Sequence, residues 1–315
     1  MLKTAIMDLL NIQVPVIQGA MAWIADASLA AGVSRAGGLG IIAAGNAPAE
    51  YVKQQILQVQ SQTDRPFGVN IMLLSPSAPE IAQLCTELHV PVVTTGAGDP
   101  SKYMEMWKQA GIKVMPVIPS VAYARRMEKL GADAVIAEGC EAGGHIGELT
   151  SMALVPQVVD AVNIPVIGAG GVGDGRGLAA MLMLGAEGVQ VGTRFLVAKE
   201  CTVHQNYKDK ILAAKDTDTI VTGRSTGHPV RAIKNKLSRE FKKLESQGAS
   251  FEEIEALGAG GLQKAAKQGD VVYGSVMSGQ IAGLVKEEQT CEQIITSLVE
   301  QAEQVIAKGA AKWEN

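Results

Sequence analysis

The sequence predicts an α/β protein: a (β/α)8 TIM barrel with a small helical subdomain over the C-terminal barrel face. Eight short β-branched runs alternate with helical patterns roughly every 20 to 30 residues, and each interval is long enough for one βα unit. Glycines follow the last two of these runs, where such barrels commonly bind phosphate. A more charged, helical segment then follows from about residue 200.

The eight predicted strands are short and apolar, as expected for strands that are buried on both faces. Polar and glycine residues cluster at their C-terminal ends, the barrel face that carries active sites. A doubly wound open sheet would have the same pattern, but the count of eight and the glycines after the last two strands favour a closed barrel. The predicted strands are residues 14–17, 39–43, 67–71, 90–94, 114–118, 134–137, 166–169 and 188–191.

The intervening patterns predict helices, among them residues 28–34, 49–59 and 122–130, an apolar helix over residues 178–184, and a closing helix over residues 291–308. We expect the barrel to span residues 1–199, a small helical substrate or lid subdomain residues 200–268, and a return segment with the C-terminal helix residues 269–315. In the subdomain, apolar residues at a spacing of 3–4 predict one helix with a basic outer surface. These apolar residues are Val230, Ile233, Leu237, Phe241 and Leu244; the basic ones are Arg231, Lys234, Lys236, Arg239, Lys242 and Lys243.

Composition narrows the class of protein. At 315 residues, with 47% hydrophobic and 19% charged residues, the chain is globular and has a full-sized core. A net charge of −4 gives no general attraction to nucleic acid. The four cysteines form no CxxC pair and the four histidines have no metal-ligand spacing, so we expect neither a metal site nor a disulfide framework. Without a signal-like N-terminus or a long apolar run, we expect a cytoplasmic protein that does not enter a membrane.

The stretch from Pro165 to Phe195, PVIGAGGVGDGRGLAAMLMLGAEGVQVGTRF, carries the phosphate prediction. Glycines at two adjacent strand ends, with Thr193 at the second, let backbone N–H groups approach an anion closely. The alternative is that these glycines only form tight turns. The spacing is not that of the GxGxxG dinucleotide fingerprint, and no acidic strand end follows at the expected distance.

His145 is the candidate catalytic residue. It follows the sixth predicted strand within EGCEAGGHIG, so we expect an open, glycine-framed loop over the barrel mouth, where an imidazole can donate a proton near neutral pH. The alternative is a surface loop histidine. His228 could also line the mouth, and Cys140 could form a Cys–His pair, although nothing nearby would orient one. Asn46, Asn70 and Glu138 at strand ends could contact a heterocycle or serve turns and salt bridges.

These motifs resemble the FMN-dependent barrels of the nitronate monooxygenase and enoyl-[acyl-carrier-protein] reductase II group. The resemblance rests on GAGGVGDG, VQVGTRF and AEGCEAGGHIG, and the reductase is the nearer match through QGAMAWIAD, SRAGGLGIIAAGNAP, PFGVNIMLLSP, VVTTGAGDPSKYM, TGHPVRAIKN and GSVMSGQIAG. It covers nearly the whole chain. It implies FMN as cofactor, NADH or NADPH as reductant, and a trans-2-enoyl thioester on acyl carrier protein as substrate, in the last step of fatty acid elongation.

The resemblance also implies residue roles. His145 matches the family's catalytic histidine, and the remaining matched positions would contact FMN. The AGGH motif also occurs in nitronate monooxygenases, so nitronate oxidation stays an alternative, as does a non-catalytic flavin- or phosphate-binding barrel. A homodimer is expected. The implied phosphate contacts are Gly170, Gly171, Gly192 and Thr193; the implied ring-side contacts are Ala20, Met21, Ala22, Asn46, Asn70, Glu138, Met277 and Gln280; further implied cofactor-binding residues are Gly19, Ala169 and Ser275.

Overall fold

The computed structural model describes residues 2–312. Residue 1, in the predicted segment 1–199, and residues 313–315, in the predicted segment 269–315, lie outside the described residues. Eight parallel strands form the central sheet, and two further strands and a two-residue strand lie outside it. In chain order the strands are β1 (Val16–Gln18), β2 (Gly40–Ala43), β3 (Phe67–Met72), β4 (Val92–Gly96), β5 (Lys113–Ile118), β6 (Val135–Glu138), β7 (Gly144–His145), β8 (Val166–Ala169), β9 (Gly188–Val191), β10 (Thr219–Thr222) and β11 (Val230–Ile233).

The parallel strands close into a barrel. Their order is β1-β9-β8-β6-β5-β4-β3-β2, and Leu39, just before β2, completes the circle against β1. The Gln18 N–H donates to the Leu39 oxygen at 2.9 Å, and the Leu39 N–H donates to the Val16 oxygen at 3.0 Å. The predicted TIM barrel is confirmed, and the predicted strand ends lie within two residues of those observed.

Helices surround the barrel. In chain order they are α1 (Ala5–Leu10), α2 (Ala27–Arg35), α3 (Ala49–Gln62), α4 (Ala78–Glu87), α5 (Ser101–Gln109), α6 (Val121–Lys129), α7 (Ser151–Val159), α8 (Gly175–Met183), α9 (Gln205–Leu212), α10 (Lys236–Ser246), α11 (Phe251–Gly258), α12 (Gly261–Gln268) and α13 (Cys291–Ala310). Within residues 2–312, none of them is long and apolar enough to cross a membrane.

The C-terminal helix α13 packs against α8 and α2. Gly175 makes the contact with α8 possible, because a Cβ there would lie 2.5 Å from both the Leu298 oxygen and the Ala302 nitrogen. The Gly175 N–H also donates to the Gln301 Oε1 at 2.7 Å. Residues far apart in the chain thus fix the start of the helix that follows β8.

Helix α1 covers the N-terminal end of the barrel. Ile6 and Leu10 of this helix are buried in one cluster with inward-facing strand residues such as Ile41 and Met115. The Ala5 N–H donates to the Glu187 carboxylate at 2.7 Å, directly before β9. Helix α1 therefore closes the end of the barrel opposite the strand C-termini. The apolar surface that it buries stabilises the fold by about 25 cal/mol per Å².

Residues 200–268 contain strands as well as helices. Strands β10 and β11 form an antiparallel hairpin, and β11 also pairs with β7. The prediction of one helix over residues 230–244 was therefore wrong at its start: Val230 and Ile233 lie in a strand, and the helix begins at Lys236. The N-cap Asn235 forms a capping box with Ser238, which ends the strand and starts the helix.

Arg231 corrects the predicted basic helix further. It lies in β11, not on a helix, and only 7% of its surface is exposed. Its guanidinium donates to the Cys140 oxygen from Nε at 3.2 Å and from Nη2 at 2.9 Å. A buried charge of this kind is found where hydrogen bonds satisfy it, so Arg231 belongs to the interior of the subdomain.

Candidate active site

The C-terminal ends of the barrel strands gather most of the predicted site residues at one mouth. Residues 19–22 follow β1, Asn46 follows β2, Asn70 lies in β3, and Glu138 ends β6. Ala169 ends β8 and is followed by Gly170 and Gly171, while Gly192 and Thr193 follow β9. Because all the strands are parallel, these residues share one face of the barrel, as the sequence pattern predicts.

Gly170 and Gly171 form the turn after β8 and adopt φ values of 84° and 75°. Both are in the left-handed region that favours glycine. A Cβ at Gly170 would lie 2.8 Å from the Gly139 oxygen, whereas the nearest atom to a Cβ at Gly171 would be 3.6 Å away. Gly170 thus needs to be glycine for packing as well as for conformation, whereas a Cβ at Gly171 would make ordinary contact with the Glu141 carboxylate. We call this pair the glycine cradle.

The turn after β9 lies beside the turn after β1. A Cβ placed on Gly192 would be 3.8 Å from the sulfur of Met21, and the Gly19 N–H donates to the Val191 oxygen at 2.9 Å. The Thr193 Oγ1 accepts a hydrogen bond from the Gly279 N–H at 2.9 Å. Thr193 therefore joins the barrel to the return segment.

Glu138 has no hydrogen-bond partner for its carboxylate within the described residues. The side chain keeps part of its surface open to the mouth, yet burial by the surrounding strand ends raises the pKa of the carboxyl group to about 7. A half-buried carboxyl group without a partner is well suited to accept a hydrogen bond from an N–H group of a ligand.

Two asparagines at the mouth differ in their surroundings. The Asn70 Nδ2 donates to the Thr94 Oγ1 on the neighbouring strand at 2.9 Å, which fixes the amide orientation. Asn46 is exposed and lines a small cavity together with Ala22, Gly45 and Tyr51. Asn70 is thus held in place for a ligand, whereas Asn46 is at the rim.

His145 lies in a strand, which corrects the expectation of an open loop. Gly144 and His145 form β7, in which His145 pairs with Val230 and Gly144 with Arg231. The next residue continues the pairing, since the Ile146 N–H donates to the Pro229 oxygen at 3.1 Å. The glycines before His145 led to the loop prediction, but β11 supplies partners that sequence neighbours do not reveal.

The His145 imidazole is exposed at the surface of the mouth, but the atoms packed around it are enough to lower its pKa below the ordinary 6.5. Burial is the main cause, the nearby His228 lowers the pKa further, and Glu255 opposes both effects. At neutral pH the ring is therefore mostly uncharged, a form that donates one N–H and accepts at the other nitrogen. His228 thus lies near the mouth, as the sequence suggested.

Cys140 is held by its backbone. Its N–H donates to the Leu149 oxygen at 2.8 Å, and its carbonyl accepts from Arg231. Within residues 2–312 no hydrogen bond joins its sulfur to His145, so the structure gives no support to a Cys–His pair.

The return segment after α12 reaches the mouth. Met277 approaches Gly144, where a Cβ would be 3.6 Å from the methionine sulfur. The Gln280 N–H donates to the Glu141 oxygen at 2.9 Å. Ser275 lies earlier in the segment, where its N–H donates to the Gly261 oxygen of α12 at 2.9 Å. Met277 and Gln280 therefore lie beside the His145 segment, and Ser275 lies against the subdomain.

Sequence reasoning missed three residues that organise this site: Glu141, Ser151 and Arg231. Glu141 and Ser151 contact each other through hydrogen bonds of 3.0 Å. The position of Ser151 at the start of a helix could have been read from the sequence. The partner of each residue depends on tertiary contacts and has no sequence signal.

The residues at the mouth fit the flavin that the sequence resemblance implies. The two residues of the glycine cradle have no side chains of their own, although the Glu141 Oε1 lies 3.6 Å from the Cβ position of Gly171. Glu138 offers an unpaired acceptor for a ring N–H. One phosphate group matches a pair of glycine turns. Gly170, Gly171, Gly192 and Thr193 would hold the phosphate, and Glu138 and Asn70 would face the ring.

Comparison with known proteins gives consistent results. Residues 3–301 match the family of nitronate monooxygenases. The structure of FabK from Thermotoga maritima superposes with a TM-score of 0.96 at 46% identity, covering 99% of this chain and 100% of that one. The structure of a nitroalkane oxidase from Streptomyces ansochromogenes superposes with a TM-score of 0.84 at 28% identity, covering 97% and 99%.

Curated relatives are similar over almost the full length of the chain. A protein described as a probable nitronate monooxygenase from Staphylococcus saprophyticus is 35% identical, covering 97% of this chain and 99% of that protein. A (3aS,4S,5R,7aS)-5-hydroxy-7a-methyl-1-oxo-octahydro-1H-indene-4-carboxyl-CoA dehydrogenase from Rhodococcus jostii is 34% identical, covering 99% of both.

Proposed function

Since the chain belongs to the nitronate monooxygenase family, whose members are flavin-dependent oxidoreductases, we propose that it is an FMN-dependent enoyl-[acyl-carrier-protein] reductase. The reaction would reduce a trans-2-enoyl thioester on acyl carrier protein with NADH or NADPH, in the last step of the fatty acid elongation cycle. FMN, when bound, supplies the hydride chemistry.

The observation that carries this proposal is the similarity to FabK, an enoyl-[acyl-carrier-protein] reductase. At 46% identity over the full length of both chains, it is the highest identity among the proteins compared above. The relative from Rhodococcus jostii is named as a dehydrogenase of a carboxyl-CoA compound, which is also consistent with a thioester substrate.

His145 would serve the substrate directly. Reduction of an enoyl thioester places a hydride on the β-carbon and a proton on the α-carbon, and negative charge develops on the thioester oxygen. A donor held at that oxygen lowers the barrier. The lowered pKa keeps the imidazole neutral, so its role here is donation of one N–H. Strand β11 keeps the ring at the mouth while substrates exchange.

Nitronate oxidation by O₂ is the second candidate, and it is supported by the 35% identity to a probable nitronate monooxygenase. The glycine cradle and the neutral histidine would suit either reaction, because both use a flavin and a base or donor at the mouth. A homodimer in the cytoplasm is the accompanying expectation for either activity.

The two activities are distinguished by one assay series. The purified yellow protein is mixed with NADH or NADPH and a crotonyl thioester, and separately with a nitronate under air. We expect oxidation of the nicotinamide that depends on the thioester and yields the saturated product. Fast nitronate turnover without consumption of NADH or NADPH, together with no thioester reduction, would contradict the proposal.

A further inference from the structure

Glu141 makes an unusually complete set of contacts at the start of α7. Its two carboxylate oxygens each lie 3.0 Å from the Ser151 backbone nitrogen, and its Oε2 lies 3.0 Å from the Ser151 Oγ. Thr150 immediately before α7 forms no side-chain cap. A carboxylate ten residues earlier in the chain therefore caps this helix.

Ser151 links that carboxylate to the glycine cradle. Its Oγ lies 3.0 Å from the Gly170 oxygen and 3.3 Å from the Ala169 oxygen. Only 4% of the residue is exposed. A hydroxyl group has a single proton, so the carboxylate and the carbonyls of Ala169 and Gly170 share one donor at this point. The position of Glu141 is thereby coupled to the backbone of the cradle.

Gly139 shows how closely these groups are packed. A Cβ at this position would lie 2.2 Å from the Ser151 Oγ and 2.4 Å from the Glu141 Oε2. The Gly139 N–H also donates to the Ala169 oxygen at 2.9 Å. Close packing of this kind transmits a displacement of one group to its neighbours.

The backbone of Glu141 reaches the other side of the site. Its carbonyl accepts from the Gln280 N–H at 2.9 Å, and the preceding Gly279 donates to the Thr193 Oγ1 at 2.9 Å. His145 follows only four residues later in the same segment. Glu141 is therefore linked, directly or through one or two residues, to the turns after β8 and β9 and to the segment that carries His145.

We propose that Glu141 is a positioning residue that couples the glycine cradle to the segment that carries His145. Binding of the cofactor phosphate at the cradle and placement of the imidazole at the mouth then depend on the same carboxylate. This inference rests on the proposed function for the identity of the cofactor and the substrate, and it assigns to Glu141 no contact with either.

A role in capping alone is the competing explanation. Loss of a helix cap costs stability but does not change the affinity of the folded protein for a ligand. Thr290 offers the matched control, because its Oγ1 caps α13 by accepting from the Gln293 N–H at 3.2 Å, and α13 packs on the outside of the barrel.

The test compares Glu141→Ala, Glu141→Gln and Thr290→Ala. The dissociation constant for FMN is measured by quenching of flavin fluorescence on titration with apoprotein, and the melting temperature is recorded for each variant. We expect Glu141→Ala to raise the FMN dissociation constant about 10-fold, because a charge-assisted acceptor is lost. Glu141→Gln keeps the acceptor for the Ser151 N–H and should stay within about 3-fold. Thr290→Ala should lower only the melting temperature.

Coupling to His145 is tested by a double-mutant cycle on thioester reduction. In the His145→Ala background, Glu141→Ala should cause little further loss of turnover, while its effect on FMN affinity remains. Unchanged FMN affinity in Glu141→Ala, or fully additive losses of turnover, would overturn the proposal. If Glu141→Ala does not fold, Ser151→Ala gives the same comparison with a smaller expected effect.

The two proposals fail in different ways. If the protein oxidises nitronates and does not reduce thioesters, the double-mutant cycle of Glu141→Ala and His145→Ala is measured on nitronate turnover. The titration with FMN does not depend on which activity the protein has. If Glu141→Ala binds FMN as tightly as the parent protein, and the parent protein reduces thioesters, the role of Glu141 is contradicted and the proposed function is left in place.

Discussion

His145 is paired with Val230 across an antiparallel strand pair, so a segment that follows the barrel in the chain fixes the histidine at its mouth. The adjacent pair joins Gly144 to Arg231, whose guanidinium also holds the Cys140 carbonyl. The subdomain therefore does more than cover the barrel: it completes the segment that carries the candidate catalytic residue.

Replacement of His145 by alanine should separate cofactor binding from chemistry on the substrate. In the part of the chain that the structure describes, no hydrogen bond joins the imidazole to the glycine cradle or to Thr193, so the FMN content should equal that of the parent protein. Loss of a donor to a developing oxyanion typically costs about 10²–10³ in rate. Anaerobic stopped-flow measurement should show flavin bleaching by NADH or NADPH at nearly the parent rate and thioester reduction slowed by that factor. Equal losses in both steps would assign His145 to the nicotinamide site or to the structure of the pocket.

His228 should control the protonation of His145. Because His228 lowers the pKa of the His145 imidazole, His228→Ala should raise that pKa toward the ordinary value. The burial contribution remains in the variant, so the rise should be partial. Titration of the imidazole signals by NMR measures the shift directly, and Glu255→Gln, which removes the opposing charge, should move the pKa in the other direction. A pKa that falls in His228→Ala would contradict this account.

Glu138 should make the stability of the apoprotein depend on pH. Burial raises the pKa of this carboxyl group from 4.5 to about 7 in the folded protein, so the folded state binds a proton more tightly than the unfolded state. Its contribution to stability is full below pH 4.5 and is lost as the pH rises toward 7. Glu138→Gln removes this dependence. The free energy of unfolding of the variant relative to the parent should rise between pH 5 and pH 8 by roughly 2–3 kcal/mol, the order expected from the part of the shift that falls in this pH range. If the free energies of unfolding of the variant and the parent change in parallel with pH, the raised pKa of Glu138 is contradicted.

The two glycines of the cradle should respond differently to alanine. Both have positive φ, so each substitution carries a backbone cost of roughly 1–2 kcal/mol. Only Gly170→Ala also drives a Cβ into the Gly139 oxygen, at 2.8 Å. We expect Gly170→Ala to be the more destabilised apoprotein in urea unfolding and to bind FMN far more weakly. Equal destabilisation would show that the cradle can shift to accept the methyl group.

The exposed basic residues of α10 should attract an acidic carrier protein. Arg239 and Lys243 lie one turn apart on this helix and are exposed, whereas Lys242 is already paired with Glu245 at 2.9 Å. The double change Arg239→Glu and Lys243→Glu should raise the Michaelis constant for the carrier-linked thioester several-fold and leave that for the coenzyme A thioester unchanged. Lys53→Glu with Arg125→Glu, on α3 and α6 of the outer helix layer, is the control of equal charge. If the basic face is only solvated, the double change should alter the Michaelis constants for the two substrates by the same factor.

The barrel was predictable because each of its strands is a short apolar run bounded by turn residues. Strands that are buried on both faces are apolar along their whole length, so their positions stand out in the sequence. Residues 230–233 were misread because Val230 and Ile233 also fit the spacing of the following helix. Their alternating burial and the capping residue Asn235 mark a strand that ends before the helix starts. A period of three to four residues cannot separate these readings when a strand runs directly into an amphipathic helix.

Within the site, strand-end residues such as Glu138 and Gly170 were predictable because the end of a parallel strand has a fixed place in a barrel. The contacts of Glu141 with Ser151 and of Arg231 with Cys140 were not predictable, since hydrogen bonds between distant segments leave no periodic pattern in one sequence. The strand around His145 was missed for the same reason: its partner lies 85 residues further along the chain.

Helix α1 seals the barrel at the end opposite the mouth, with Ile6 fully buried among the inward-facing side chains. A molecule bound at the mouth therefore cannot leave through the N-terminal end of the barrel. Under the proposed function, reductant, acyl substrate and product would all enter and leave from the face of the barrel that carries the histidine.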